Sequence, residues 1–252
     1  RTGPAALTRE NVRLNTVDTS AAVALLRSEA ATRRGRRHKV NQDSHFAAPS
    51  HGLFTIADGM GGHREGDVAS RATVHAISQL INMPPSSHEA RQIALEAKLN
   101  HVNHGLYAGF LALPEQDISG TTTLSLIISG SQASCIWAGD SRLYLLRQQQ
   151  LFLISEDHAD KAGRLTAAVG IHNTLQLDRR TLEMMPDDVF VLCTDGLLKG
   201  MDETTLARMA TEGTSGLADR LVSRAVAGGS SDDITVITVW TETDAQPPEA
   251  GR

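Results

Sequence analysis

Two apolar runs constrain this chain more than anything else in it: Leu53-Phe54-Thr55-Ile56-Ala57 and Val189-Phe190-Val191-Leu192-Cys193. Neither alternates between apolar and polar residues, as a strand with one wet face does, so each is expected as a central strand covered on both sides. Each then runs into an Asp-Gly step, directly at Asp58-Gly59 and after Thr194 at Asp195-Gly196. A single Asp-Gly more often marks a turn than a site. Here the carboxylate emerges from the core rather than from a surface hairpin, at the end of a sheet where crevices form. The glycine lets backbone approach a ligand closely, since no Cβ intervenes.

Strands buried on both faces need further layers, and the rest of the chain supplies them. Segments around Phe46 and over Thr122–Ile128, Ala133–Ala138, Leu143–Leu146, Leu151–Ile154 and Ile234–Trp240 read as strands, most of them joined by short turns. Helical stretches cover Arg64–Ile81 and His88–Leu111, separated by a Pro84-Pro85 break that no helix interior tolerates. In the first, Ala69, Ala72, Ala76, Ile77 and Leu80 recur on one face. A second helical pair falls at Asp202–Ala210 and Gly216–Ala227. Clustered strands with grouped helices predict an α+β fold, a four-layer α-β-β-α sandwich of two sheets flanked by helix pairs.

With 252 residues, 40% of them hydrophobic, one such core can be filled. The domain is expected over residues 24–241, after an N-terminal extension (1–23) without sustained periodicity and before a polar, proline-containing tail (242–252) expected to be disordered. A net charge of −5 argues against a nucleic-acid surface, which needs a positive face. Cys135 and Cys193 lie in strand-type apolar runs and read as reduced core residues. No stretch is long and apolar enough to span a bilayer, and the protein is expected in the cytoplasm.

Two more aspartates share the strand-end setting, Asp43 after Asn41-Gln42 and Asp232 in Ser230-Ser231-Asp232-Asp233. Converging carboxylates repel one another unless cations neutralise them, and hard oxygen ligands suit Mg²⁺ or Mn²⁺. A tight hairpin or an outer carboxylate near such ions are both open to Asp140 in Gly139-Asp140-Ser141-Arg142.

Ala57-Asp58-Gly59-Met60-Gly61-Gly62-His63, followed by Gly66 and Ala69-Ser70, resembles the most recognisable motif of the PPM (PP2C-like) metal-dependent protein serine/threonine phosphatases, in its bacterial form. Asn41-Gln42-Asp43, Ser119-Gly120-Thr121-Thr122, Ala138-Gly139-Asp140-Ser141-Arg142, Cys193-Thr194-Asp195-Gly196-Leu197 and Ser231-Asp232-Asp233-Ile234-Thr235 stand in the family's order, and the resemblance spans roughly Leu25 to Thr241. It implies two packed antiparallel sheets with a site for two Mn²⁺ or Mg²⁺ ions at one end. It also implies hydrolysis of phosphoserine or phosphothreonine by a hydroxide bridging the ions. In that reading Asp58 bridges both metals, the Gly59 carbonyl binds one, Asp195 and Asp232 complete the other, and Asp43 orients water on the second ion.

The resemblance implies a phosphorylated protein as substrate, a cognate Ser/Thr kinase as counterpart, monomeric behaviour and a setting such as type VI secretion control. His63 is a candidate general acid, or a brace for the helix beginning near Arg64. Relatives usually carry a phosphate-binding arginine five positions before the Asp43 equivalent, where this chain has His38. Arg37 is one place off, and on a strand that shift would send it to the opposite face. Arg37 or His38 is therefore expected to meet the phosphate. The family's flap is much reduced, with six residues between Asp157-His158 and Leu165, and Lys199 replaces a further acid that in relatives helps hold a third ion. A pseudophosphatase or phosphoprotein-binding regulator of the same fold is the alternative.

Overall fold

A computed structural model describes residues 25–61, 66–84, 86–112 and 119–242. In chain order these form β1 (Leu25–Arg33), β2 (Asp43–Ala48), β3 (Leu53–Met60), α1 (Gly66–Ser78), α2 (His88–Ala112), β4 (Gly120–Thr121), β5 (Thr123–Ser129), β6 (Gln132–Ala138), β7 (Arg142–Arg147), β8 (Gln150–Leu153), β9 (Asp178–Glu183), β10 (Val189–Cys193), α3 (Glu203–Thr211), α4 (Leu217–Ala227) and β11 (Ile234–Glu242). One sheet runs β1-β11-β10-β7-β8 and the other β2-β3-β5-β6-β9, with β4 added to β3, and every pairing is antiparallel.

The two apolar runs are the central strands they were expected to be, and each feeds two cores. Phe190 and Leu192 of β10 face Phe54 and Ile56 of β3 in the layer between the sheets, while Val189 and Val191 pack under Leu206, Leu217 and Leu221 of α3 and α4. On the far side Leu53 packs with Ile77 of α1 and Leu95 and Leu99 of α2. These alternate contacts follow from the period-2 geometry of a strand. The four-layer sandwich stands.

Two strands escaped the sequence reading. β1 and β9 are edge strands with largely exposed or half-exposed side chains, so neither carries an apolar run. The domain end also shifts: Glu242, expected in the tail, closes β11 opposite Leu25 because the ladder with β1 runs that far. The remainder of the extension and tail lies outside the described residues, as does His63. Among the described residues, no helix is long and apolar enough to cross a membrane.

Candidate active site

Each sheet delivers two carboxylates to the same end of the sandwich. Asp43 opens β2 directly opposite Asp58, near the end of β3. In the other sheet the antiparallel β10 and β11 bring Asp195, just past one strand, beside Asp232, just before the other. A hydrogen bond joins the two pairs across the layers, Thr194 Oγ1 donating to Asp43 Oδ2 at 2.9 Å.

The backbone of the Asp58-Gly59 step is held from both sides. Thr122 N and Thr121 Oγ1 donate to the Asp58 carbonyl at 2.8 and 2.9 Å, and Asp58 N donates to Thr122 Oγ1 at 2.9 Å. These threonine hydroxyls are thus spent on positioning the strand end. Gly59 N donates to the Gln42 carbonyl at 3.1 Å. A Cβ on Gly59 would stand 2.0 Å from the Gly66 carbonyl oxygen, so the crossing of β3 and α1 admits only glycine there.

Electrostatically the site is under strain as it stands. Burial pushes the Asp43 carboxyl up to about 7, against hydrogen bonds from Thr235 and Thr194 that favour its charged form. Asp58 is raised well above the usual carboxylate range, by burial first and then by the charges of Asp43, Asp195, Asp140 and Asp232. Asp140 is pushed up to about 6 by burial and by Asp195. Asp43 Oδ1 and Asp195 Oδ1 are buried without a hydrogen-bond partner. Orphaned, mutually repelling carboxylate oxygens at the mouth of two sheets are what hard cations satisfy.

One cation is already present, and it belongs to the chain. Lys199 Nζ donates to Asp232 Oδ2 at 2.7 Å and pairs closely with Asp195 Oδ2. Burial weakens the charged form of Asp232, but the hydrogen bond and charge of Lys199 outweigh it and hold this carboxyl below its ordinary value. Sequence reasoning set Lys199 against an outer ion, whereas the side chain stands between two inner carboxylates. Among the described residues, no three His, Cys, Asp or Glu side chains close around a common point that could grip an ion. The donor set of Asp58, Asp195, Asp232, Asp43 and the Gly59 carbonyl fits divalent ions in kind, provided Lys199 swings aside.

Arg37 and His38 both reach this end. Residues 34–42 form a loop rather than a strand, so alternation of faces does not separate them. Arg37 Nη1 lies 3.7 Å from Asp232 Oδ2, and His38 Nδ1 lies 3.0 Å from Asp233 Oδ2 and 3.9 Å from Asp232 Oδ1. Asp233 is the residue that sequence reasoning passed over. Nearly fully buried, it accepts from Gly35 N at 2.7 Å and from Gln42 N at 2.8 Å, and so fastens the whole loop to the start of β11. A second acid next to Asp232 was the available signal.

The reduced flap is a single tight turn. Asp160 Oδ1 accepts from Ala162 N and Arg164 N at 2.8 and 3.0 Å, closing the connection between His158 and Leu165. Arg142 clamps Asp157 with two hydrogen bonds of 2.8 and 2.7 Å, and His158 stacks on Trp137.

Comparison with known proteins gives this geometry relatives. A family model described as protein phosphatase 2C matches residues 31–227. A serine/threonine protein phosphatase, PstP, of Mycobacterium tuberculosis is 31% identical over 232 residues, covering 84% of this chain, while the chain spans only 44% of that protein's length. The structure of PppA, described as a key regulatory component of the type VI secretion system in Pseudomonas aeruginosa, superposes with a TM-score of 0.80 at 36% identity, covering 88% of this chain and all of that one. The catalytic domain of PstP in complex with two manganese ions gives a TM-score of 0.76 at 29% identity, over 86% of this chain and 98% of that one.

Proposed function

Because this chain belongs to the protein phosphatase 2C family, we propose that it removes phosphate from phosphoserine or phosphothreonine in a protein substrate with the help of two Mn²⁺ or Mg²⁺ ions. One observation carries the reading: Asp43 and Asp58 from one sheet meet Asp195 and Asp232 from the other, with buried carboxylate oxygens left unpartnered. Asp58 would serve both ions, Gly59 one of them through its carbonyl, and Asp195 and Asp232 the other. When bound, the ions supply Lewis acidity, activating water and neutralising charge at neutral pH.

The chain's own residues supply the rest. Asp43, fixed by Thr194, orients the attacking water by accepting its hydrogen. Arg37 and His38, 3.7 and 3.9 Å from Asp232, would meet the phosphate oxygens, the guanidinium offering the planar fork suited to them. The domain of residues 24–242 is the catalytic unit, monomeric and cytoplasmic. By likeness to PppA, its substrate is a phosphoprotein of a type VI secretion system, phosphorylated by a cognate kinase.

One observation favours the alternative of a regulator without turnover: Lys199 already neutralises the pair on which the second ion depends. Hydrolysis of p-nitrophenyl phosphate and a phosphothreonine peptide separates the two. Activity is expected with Mn²⁺ and none in EDTA; metal-free turnover near the Mn²⁺ rate would sink the two-ion reading, and no turnover with saturating Mn²⁺ would leave the regulator.

A further inference from the structure

Five of the chain's 24 Lys and Arg residues fall between positions 33 and 39, in Arg33-Arg34-Gly35-Arg36-Arg37-His38-Lys39, with no acid among them. The chain as a whole carries −5, so the remainder without these five charges carries −10. A run of like charges of this kind repels itself and is ordinarily a loose, solvated loop. This one is built. Arg36 N and Arg37 N donate to the Ser231 carbonyl at 2.9 and 3.2 Å, Gly35 N and Gln42 N donate to buried Asp233, and Arg34 Nη1 donates to the His38 carbonyl at 2.5 Å. A Cβ on Gly35 would lie 2.3 Å from the Asp232 carbonyl carbon, so the loop backbone presses directly on the segment that carries a candidate metal ligand.

The charges themselves face outward. Arg33, Arg34, Arg36, Arg37 and Lys39 are all exposed, and of the five only Arg37 forms an ion pair among the described residues, with Asp232. We propose that this loop is a docking rim for acidic phosphopeptides, selecting phosphorylated residues flanked by Asp, Glu or further phosphates. The inference rests on the phosphatase reading. An extended peptide advances about 3.3 Å per residue, so acids within three positions of the phosphorylated residue lie about 10 Å from it, within the compass of a rim whose Arg37 reaches Asp232. Fixing the loop beforehand removes part of the ordering cost that a mobile basic segment would incur on binding.

An exposed ion pair is worth a factor of about 1.5 to 5 in affinity, and three together give about tenfold. The test uses two phosphothreonine peptides with the same central residues, one with glutamate flanks and one with lysine flanks. With Mn²⁺, kcat/KM is expected to favour the acidic peptide about tenfold at low salt and to lose most of that margin in 0.5 M NaCl, while p-nitrophenyl phosphate shows no such salt dependence. The double charge reversal Arg36→Glu with Lys39→Glu should abolish or invert the preference and leave p-nitrophenyl phosphate turnover within about twofold. A wild-type ratio near one, or a ratio that survives the double reversal, overturns the proposal while the phosphatase reading stands. Fluorescence anisotropy of the same labelled peptides in EDTA decides the docking without turnover: equal binding of the two would overturn it even if the protein proved inactive.

Discussion

Removing Lys199 should tighten ion binding and loosen the metal-free protein at once. Its ammonium donates to Asp232 at 2.7 Å and pairs with Asp195, and its side chain is 43% exposed. An ion seated between those carboxylates must displace both contacts. Two unit charges 4 Å apart attract by about 4 kcal/mol at an effective dielectric of 20 and by about 1 kcal/mol in water. With nearly half the side chain in solvent the working value lies toward the lower figure, and exposed pairs are measured at about 0.2–1 kcal/mol each. Two pairs, together with the repulsion between ammonium and incoming cation, give about 1–3 kcal/mol, or about 5- to 150-fold in affinity. Calorimetric titration of metal-stripped protein with Mn²⁺ should therefore show Lys199→Ala binding one ion at least about fivefold more tightly, with Lys199→Arg close to wild type. In EDTA, Lys199→Ala should melt about 2–4 °C lower per kcal/mol lost, and Mn²⁺ should raise its Tm by more than it raises that of wild type. Equal or weaker Mn²⁺ affinity in Lys199→Ala would refute the displacement argument.

Asp58→Asn and Asp195→Asn should each lower Mn²⁺-dependent turnover by orders of magnitude while circular dichroism shows the fold retained; substantial activity in either, with Mn²⁺ saturating, would remove that residue from the ligand set. A pH dependence follows from the raised carboxyls, Asp43 to about 7, Asp140 to about 6 and Asp58 in the same direction. Groups raised in the folded state hold protons that the unfolded chain has released, so their stabilisation is complete below about pH 4 and is lost as pH climbs through 6 to 7. In EDTA the Tm should fall between pH 5 and pH 8, and Mn²⁺ should flatten that fall; a metal-free Tm that rises over this interval would contradict it.

What could be read from the sequence was whatever a local pattern encodes. β3 and β10 announce themselves as apolar runs, and the Asp-Gly steps at their ends mark where two carboxylates emerge. β1 and β9 carry no such pattern, since an edge strand such as Asp178–Glu183 owes its place to ladder bonds with β6 rather than to buried side chains. The helix expected from Arg64 is described from Gly66 and ends in a 3-10 turn over Gln79–Asn82. Asp233 looked like a neighbour of Asp232, and only the folding of residues 35–42 back over β11 makes it the anchor of the loop. Lys199 could be set against cations by its charge, but which carboxylates it meets depends on the turn after β10 lying beside the start of β11. Tertiary placement of this sort leaves no mark in spacing.

That same placement explains how the fold tolerates its own active end. Four carboxylates forced together at the mouth of two sheets would pry the layers apart were the ions their sole cement. Instead the sheets are cross-braced by contacts that need no metal. Thr194 of one sheet donates to Asp43 of the other, and its hydroxyl in turn accepts from Thr235 N at 2.9 Å. Asp233, at the foot of β11, holds the approach to β2 through Gln42 N. Ser230 Oγ donates to the Gly196 carbonyl at 2.8 Å and so ties the Asp195 turn to the loop bearing Asp232. A buried hydrogen bond of this kind contributes about 1 kcal/mol, and more where a carboxylate accepts, so each of these contacts works against the repulsion among the acids. Of these braces only the Thr194 bond ends on a candidate ligand, Asp43, so Asp58, Asp195 and Asp232 can change without the sandwich opening.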